Sequence, residues 1–214
     1  MNVVLVSYSS SPEQKSLQDM ICYCARVSNP TNQQMSEKNE PLLRYLIKNH
    51  HWSPFEMVSI CLEITTTRDI ARQMLRHRSF SFQEFSQRYA VVEDTFDSKE
   101  ARLQDFKNRQ NSLPCDNNKL KEEWELVQQR VSDTAKEAYD WAIENGLAKE
   151  VARVVLPEGL TPSKMYMNGT LRSWIHYIQL RSGNGTQKEH REIAEACAYA
   201  IQPIFPMIME FLSI

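Results

Sequence analysis

The chain has 214 residues, 42 % of them hydrophobic, with 25 basic against 27 acidic side chains and a net charge of −2. That length suits a single domain, residues 1–214, with a real core, and the near balance of charge argues against the broad positive field that non-specific nucleic-acid binding needs. Only five glycines occur and none precedes Gly146, which excludes a G-x-G-x-x-G fingerprint and a phosphate loop.

No apolar run approaches the ~18 residues of a membrane helix, and Met1 to Ser11 lacks the basic segment of a secretory leader. The five cysteines (Cys22, Cys24, Cys61, Cys115 and Cys197) form no C-x-x-C pair, so they read as reduced thiols. The expectation is an intracellular, cytoplasmic protein (host cytoplasm for a virus-borne copy), with no membrane partner.

Along the chain, Asn2 to Tyr8 reads as a β-branched strand. Ser11-Pro12-Glu13-Gln14 resembles a capping box with proline at the first helical position, and predicts a helix through about Arg26. Ser28 to Ser36 is turn-like, and Pro41 to Asn49 predicts a short helix with Leu42, Leu43, Leu46 and Ile47 inward. Phe55 to Thr66 alternates, with Val58, Ile60, Leu62 and Ile64 on one face, and predicts a half-buried strand. Thr67 then caps a helix carrying Arg68, Arg72 and Arg76 at four-residue spacing.

From Ser98 to Asn145 the pattern is helical, with an apolar stripe of Leu120, Trp124, Val127, Val131, Ala135, Ala138 and Ala142 ended by Gly146. Burial inside the same chain is the first reading of this stripe; a subunit interface is the second. Further helices are predicted at about 147–155, 170–180, 187–201 and 203–212. The class is α+β, helix-rich, with few strands.

Charge is unevenly placed. Between Arg68 and Tyr89 lie five arginines (68, 72, 76, 78 and 88) against Asp69 and Glu84, interleaved with Phe80, Phe82, Phe85 and Tyr89. Guanidinium groups match phosphate and carboxylate oxygens in a planar fork. Arg153, Arg172, Arg181 and Arg191 follow, well separated, in the C-terminal half. Arginines with aromatics also bind single strands, but the acidic total favours a compact anionic ligand over a polymer.

Arg76-His77-Arg78, seven residues, then Ser86-Gln87-Arg88-Tyr89 reads R-H-R-x(7)-S. This closely resembles the signature of the flavin-dependent thymidylate synthases. The likeness continues at Ala25-Arg26-Val27-Ser28, His51-Trp52-Ser53-Pro54-Phe55-Glu56, Ala71-Arg72-Gln73, Ala152-Arg153-Val154-Val155-Leu156-Pro157, and Arg172, Arg181, Gln187 and Glu189. The resemblance implies an α+β fold with a small, mainly antiparallel sheet. It also implies the reductive methylation of dUMP to dTMP. Methylene-tetrahydrofolate would donate the carbon, reduced FAD the hydride, and NAD(P)H would re-reduce the flavin. A homotetramer with sites between subunits is implied as well.

By the same resemblance, dUMP is held by Gln73, Met74, Leu75, Arg76, Glu84, Phe85, Ser86, Gln87, Arg88, Arg153 and Arg181. FAD is held by Ser28, Ser53, Glu56, Arg76, His77, Arg78, Ser79, Glu84, Thr170, Arg172 and His176. Arg181, His51 and Ser86 are the expected catalytic residues, with Arg181 favouring the N3-ionised uracil. Ser86 has no identifiable base to activate it and reads as a substrate ligand. His50, His51 and Glu56 lack the further ligands that zinc needs, so no metal is expected. The chain departs from the family pattern at Gly185-Thr186, where histidine and alanine are frequent, at His190, where an aliphatic residue is common, and at His176, where asparagine is. A nucleic-acid binder and an inactive, scaffold-like homologue are the competing readings.

Overall fold

A computed structural model describes residues 1–13, 15–92 and 95–212 of the chain. β1 (Asn2–Tyr8) pairs antiparallel with β2 (Ser59–Thr67), placing Asn2 opposite Thr65 and Leu5 opposite Leu62. The predicted alternation holds: Val58, Ile60, Leu62 and Ile64 are buried. The strand starts later than expected because Pro54 opens a 3-10 turn over Ser53–Glu56.

Two further strands complete the sheet, and neither was predicted. β3 (Phe80–Glu84) and β6 (Pro162–Thr170) pair antiparallel, and β6 also pairs with β2, giving the order β1-β2-β6-β3. Along β6, Ser163, Met165, Met167 and Gly169 are buried while Lys164, Tyr166 and Asn168 face outward. The observed class is α+β, with one small antiparallel sheet and many helices. A two-stranded hairpin, β4 (Arg102–Gln104) with β5 (Ser112–Pro114), stands apart from that sheet.

The helices hold most of the predicted positions. α1 (Leu17–Ala25) begins after Ser16, not Ser11. Ser16 accepts from the Asp19 amide at 3.2 Å and donates to its carboxylate at 2.7 Å, a local cap that outcompetes the upstream proline. Gln14 of the expected capping box lies outside the described residues. α2 (Asn39–Lys48) buries Leu43 and Leu46. α3 (Arg68–Met74) follows Thr67 directly but ends before Arg76, which falls in the turn to β3. The Thr67 hydroxyl makes no cap bond; it bonds the Asp69 carboxylate.

α4 (Asn118–Glu144) starts twenty residues later than Ser98, capped by Asn117 accepting from the Leu120 amide at 3.2 Å. The hairpin fills the difference. The α4 stripe is only partly core: Ala135 and Ala142 are buried, but Trp124, Val127 and Val131 remain 42 %, 43 % and 48 % exposed. Within one chain the first reading therefore fails for the N-terminal half of the stripe, Leu120 to Val131. α5 (Lys149–Ala152) runs into a 3-10 turn, Arg153–Val155. α6 (Leu171–Arg181) and α7 (Lys188–Ile201) match expectation, and the expected last helix is a 3-10 segment, Pro206–Phe211.

The core lies on one face of the sheet, where Ile60, Leu62, Ile64, Met165 and Met167 meet Trp174, Ile178, Ile193 and Cys197. One contact positions everything downstream. Phe80 stacks edge-on against Trp174, centroids 4.8 Å apart, and lies directly over Gly169. A Cβ at Gly169 would meet the Phe80 ring at 2.4 Å. Trp174 and Tyr177 pin that ring from behind, so it cannot swing away. Gly169→Ala is expected to cost about 1–3 kcal/mol, read as a lowered urea midpoint, and Gly169→Ala with Phe80→Leu to recover part of the loss.

Candidate active site

The signature turn is laid along one face of α6. Ser173, Tyr177 and Arg181 recur every fourth residue, so they share that face. The Ser173 hydroxyl donates to the Ser79 carbonyl at 3.3 Å. The His77 ring meets Tyr177 edge-on with centroids 5.0 Å apart, and Arg181 Nε donates to His77 Nε2 at 2.9 Å. Nε2 is thus an acceptor, and the imidazole is neutral with its proton on Nδ1.

Electrostatics agree. Burial, then the neighbouring Arg181 and Arg76 guanidiniums, push His77 down to about 4. Burial, with Arg181 and His77, pushes His190 down to about 3. Behind them, Tyr177 OH lies 3.1 Å from His190 Nε2, and His190 Nδ1 lies 3.2 Å from Gln73 Oε1. Gln73 Nε2 in turn donates to Gln187 Oε1 at 2.8 Å. Gln73, His77, Arg181 and Gln187, from four separate stretches, therefore converge. Arg76 and Arg78 are exposed on the same turn and carry no hydrogen bond or ion pair among the described residues.

A second group sits at the start of α6. Thr170 caps the helix, accepting from the Ser173 amide at 3.3 Å. Arg172 is ion-paired to Glu56 on the 3-10 turn that also carries Ser53. His176 packs edge-on to Trp52, centroids 5.0 Å apart, and His51 packs on Tyr45 at 5.8 Å. Ser28 is exposed beyond the end of α1, and no hydrogen bond or ring contact among the described residues ties it to this group.

The third group is remote from the first. Four residue steps along β3 put Glu84 roughly 13 Å beyond Phe80. Glu84 is held internally, accepting from Ser163 at 2.7 Å with Arg68 at 3.6 Å. Arg88 pairs with Glu150 of α5 at 3.2 Å, on the element that leads into Arg153. Phe85 is exposed and Gln87 buried. Gln87 Nε2 is the one buried side-chain polar atom without a partner among the described residues, a donor left unmet within the chain. The expected nucleotide ligands are thus divided: Gln73, Arg76 and Arg181 at one end of β3, Glu84 to Arg88 and Arg153 at the other. Met74 is fully buried in the core, so its side chain is closed to ligand; Leu75 is at the surface.

Among the described residues, Ser86 Oγ accepts only the Arg88 amide, at 3.4 Å, and bonds to no base. Thiol attack is no better served. Burial pushes Cys22 up to about 11 and Cys197 higher still. Tyr177, Gln187 and His190 are the residues that sequence reasoning did not bring into the site. Their signal was positional: 177 and 181 are one turn apart on α6, and 187 and 190 are one turn apart at the start of α7. Next to Gln187, a polar cavity of about 770 Å³ opens between the hairpin and α7, lined by Arg102, Arg109, Lys121, Lys188 and Arg191 among others.

The depressed imidazoles have a consequence for acid stability. Unfolded, both take up a proton near pH 6.5; folded, they do so only near 4 and 3. Their stabilisation is complete above pH 6.5 and declines as pH falls through that window. His77→Gln should therefore lose less of its urea midpoint than the parent chain between about pH 7 and about pH 4.5.

Comparison with known proteins places this geometry. The Thy1 family model, "Thymidylate synthase complementing protein", matches residues 4–207. The chain is 49 % identical over 195 residues to a probable flavin-dependent thymidylate synthase of Paramecium bursaria Chlorella virus 1, covering 91 % of this chain and 90 % of that one. It is 47 % identical over 196 residues to a flavin-dependent thymidylate synthase of Synechocystis sp., covering 92 % and 89 %. The crystal structure of the UMP/dUMP methylase PolB from Streptomyces cacaoi, bound with 5-Br dUMP, superposes with a TM-score of 0.85 at 26 % identity, over 98 % of this chain and 93 % of that one. With the R-H-R turn laid on the Arg181 face of α6, Gln73 tied in through His190, and these relatives matching nearly end to end, the chain belongs to the Thy1 family, the flavin-dependent thymidylate synthases.

Proposed function

We propose that the chain, acting as one domain over residues 1–214, methylates dUMP reductively to dTMP. Methylene-tetrahydrofolate supplies the one-carbon unit and leaves as tetrahydrofolate, and NAD(P)H restores the reduced flavin. The observation that carries this reading is the Arg181–His77 bond. A neutral His77 takes the Nε–H of Arg181, which fixes the guanidinium plane and leaves the terminal nitrogens for a ligand. A cation held beside the pyrimidine lowers the N3–H pKa and stabilises the ionised ring.

The residues present fit a flavin dinucleotide. Arg76 and Arg78, exposed and unpaired among the described residues, suit its phosphates, with His77 and Ser79 on the same turn, Thr170, Arg172 and His176 at the start of α6, and Ser53 and Glu56 on the 3-10 turn that Arg172 reaches. FAD, when bound and reduced, supplies the hydride. The protein's part is to hold nucleotide and flavin and to keep a cation at the pyrimidine edge. His51 lies on the flavin side and Ser86 is a substrate ligand. The cationic lining of the cavity beside Gln187 suits the carboxylates of a folate.

Each chain on this reading carries two half-sites. Gln73, Arg76 and Arg181 of one copy meet Glu84 to Arg88 and Arg153 of another, within a homotetramer. Three observations support it: the separation along β3, the unmet Gln87 donor, and the exposed Trp124, Val127 and Val131 of α4.

The purified protein is expected to be yellow, and dUMP to shift its visible flavin bands more than UMP does. Tritium should leave C5-labelled dUMP only with reduced flavin and methylene-tetrahydrofolate both present. A colourless protein that cannot be reconstituted with FAD, or tight salt-sensitive binding of single strands with no dUMP response, would contradict the proposal.

A further inference from the structure

A chain of hydrogen bonds runs from the buried Tyr177–His190 pair through half-buried side chains to the proposed nucleotide site, and a single carboxylate sets its direction. Glu189 is pushed up by burial but held low overall by its own backbone amide, by Gln187 and by Arg102. Arg102 donates to its Oε1 at 2.6 Å, so Glu189 is ionised. An ionised carboxylate can only accept. The Gln187 amide at 3.0 Å must therefore turn its NH2 toward Glu189 Oε2.

Each later link follows. Gln187 presents its Oε1 to Gln73, so Gln73 presents its NH2 to Gln187 at 2.8 Å. Gln73 then offers only its Oε1 to His190 at 3.2 Å, which requires the His190 proton on Nδ1. His190 Nε2 is left as an acceptor, and Tyr177, almost wholly buried, donates its hydroxyl there at 3.1 Å. Every donor meets an acceptor in one direction only. Reversing any link would set two donors or two acceptors face to face, at greatest cost at the buried His190–Tyr177 end. Among the described residues, no titratable group besides Tyr177 bonds to His190; Arg181 and His77 face it electrostatically.

We propose that Glu189, Gln187 and His190 are positioning residues that fix which end of the Gln73 carboxamide faces the nucleotide. This rests on the reading of Gln73 as a uracil-nucleotide ligand. Gln73 uses one amide hydrogen and one carbonyl lone pair within the chain. The remaining hydrogen and lone pair are then locked in place, ready to match a donor and acceptor edge such as that of uracil. His190, fully buried, is the member where this chain differs from the aliphatic residue common in its family. It ties the array to Tyr177 and so to the α6 face that holds His77 and Arg181.

The test reads the His190 tautomer directly, by two-bond 15N–1H correlation on the flavin-loaded protein, with His190→Asn assigning the signal. The parent should show the Nδ1–H form. Glu189→Gln lets the terminal amide donate as well as accept, so the Nε2–H form should appear and the KM for dUMP should rise roughly tenfold with kcat changed less than about twofold. Glu189→Asp, which keeps an acceptor, should restore the parent tautomer and much of the KM. Arg102→Leu, which removes the ion pair and keeps the carboxylate, should leave the tautomer unchanged. If Glu189→Gln does not fold, Gln187→Met breaks the same link and should act alike. An Nε2–H form in the parent, or a parent-like tautomer and KM in both Glu189→Gln and Gln187→Met, would overturn the proposal. Failure of dUMP to bind the parent, with the tautomer responding as stated, would instead overturn the nucleotide reading and support the relay.

Discussion

The Phe80 ring resting on Gly169 decides where the chemistry sits. Because that residue has no side chain, β3 lies flat against β6, and Phe80 reaches Trp174 and Tyr177 on α6. The turn that precedes β3 is thereby laid along α6, and His77 arrives within reach of Arg181. The sheet order makes this possible: β6 is central, pairs with β3, and runs straight into α6. A core contact between an aromatic ring and a glycine thus sets the spacing between His77, three residues before Phe80, and Arg181 at the end of α6.

The chain has too few glycines to wrap phosphates in backbone amides, and it gathers arginines instead around α3, β3 and α6. Their fields meet at two imidazoles, His77 and His190, which stay neutral because burial and adjacent guanidinium charge both oppose protonation. Neutral rings can accept from a cation, so the same groups that lose basicity gain a structural use. The net charge of −2 conceals this arrangement. It averages acidic helices such as α4 over a few cationic clusters.

Much of the fold was legible because its signals are local. The apolar alternation of β2 and the caps or periodicity of α6 and α7 involve near neighbours only. β6 was missed because it opens on proline and holds no β-branched residue before its last, Thr170, with a glycine just ahead of it; its stability comes from two strand partners and a buried methionine face, which are tertiary. β3 was masked by its own arginine and aromatic neighbours, although Phe80 and Phe82 already alternate. The α4 stripe was read correctly as apolar, but exposure depends on what packs there. At the site, the R-H-R turn and Arg181 were visible by resemblance. Their contact with Tyr177, His190 and Gln187 was not, because it joins stretches about a hundred residues apart. The division of the expected nucleotide ligands between two ends of β3 also needed coordinates to appear.

That division is where the account is most exposed. If the two half-sites meet only between copies, variants broken in different halves should repair one another. Arg88→Ala and Arg181→Ala, each inactive alone, would be co-expressed or mixed after partial dissociation and assayed for dTMP formation. The account predicts recovery to about a quarter of the parent activity, since that share of random sites joins two intact halves. A mixture no more active than either variant alone, in protein shown to have exchanged subunits, would contradict it.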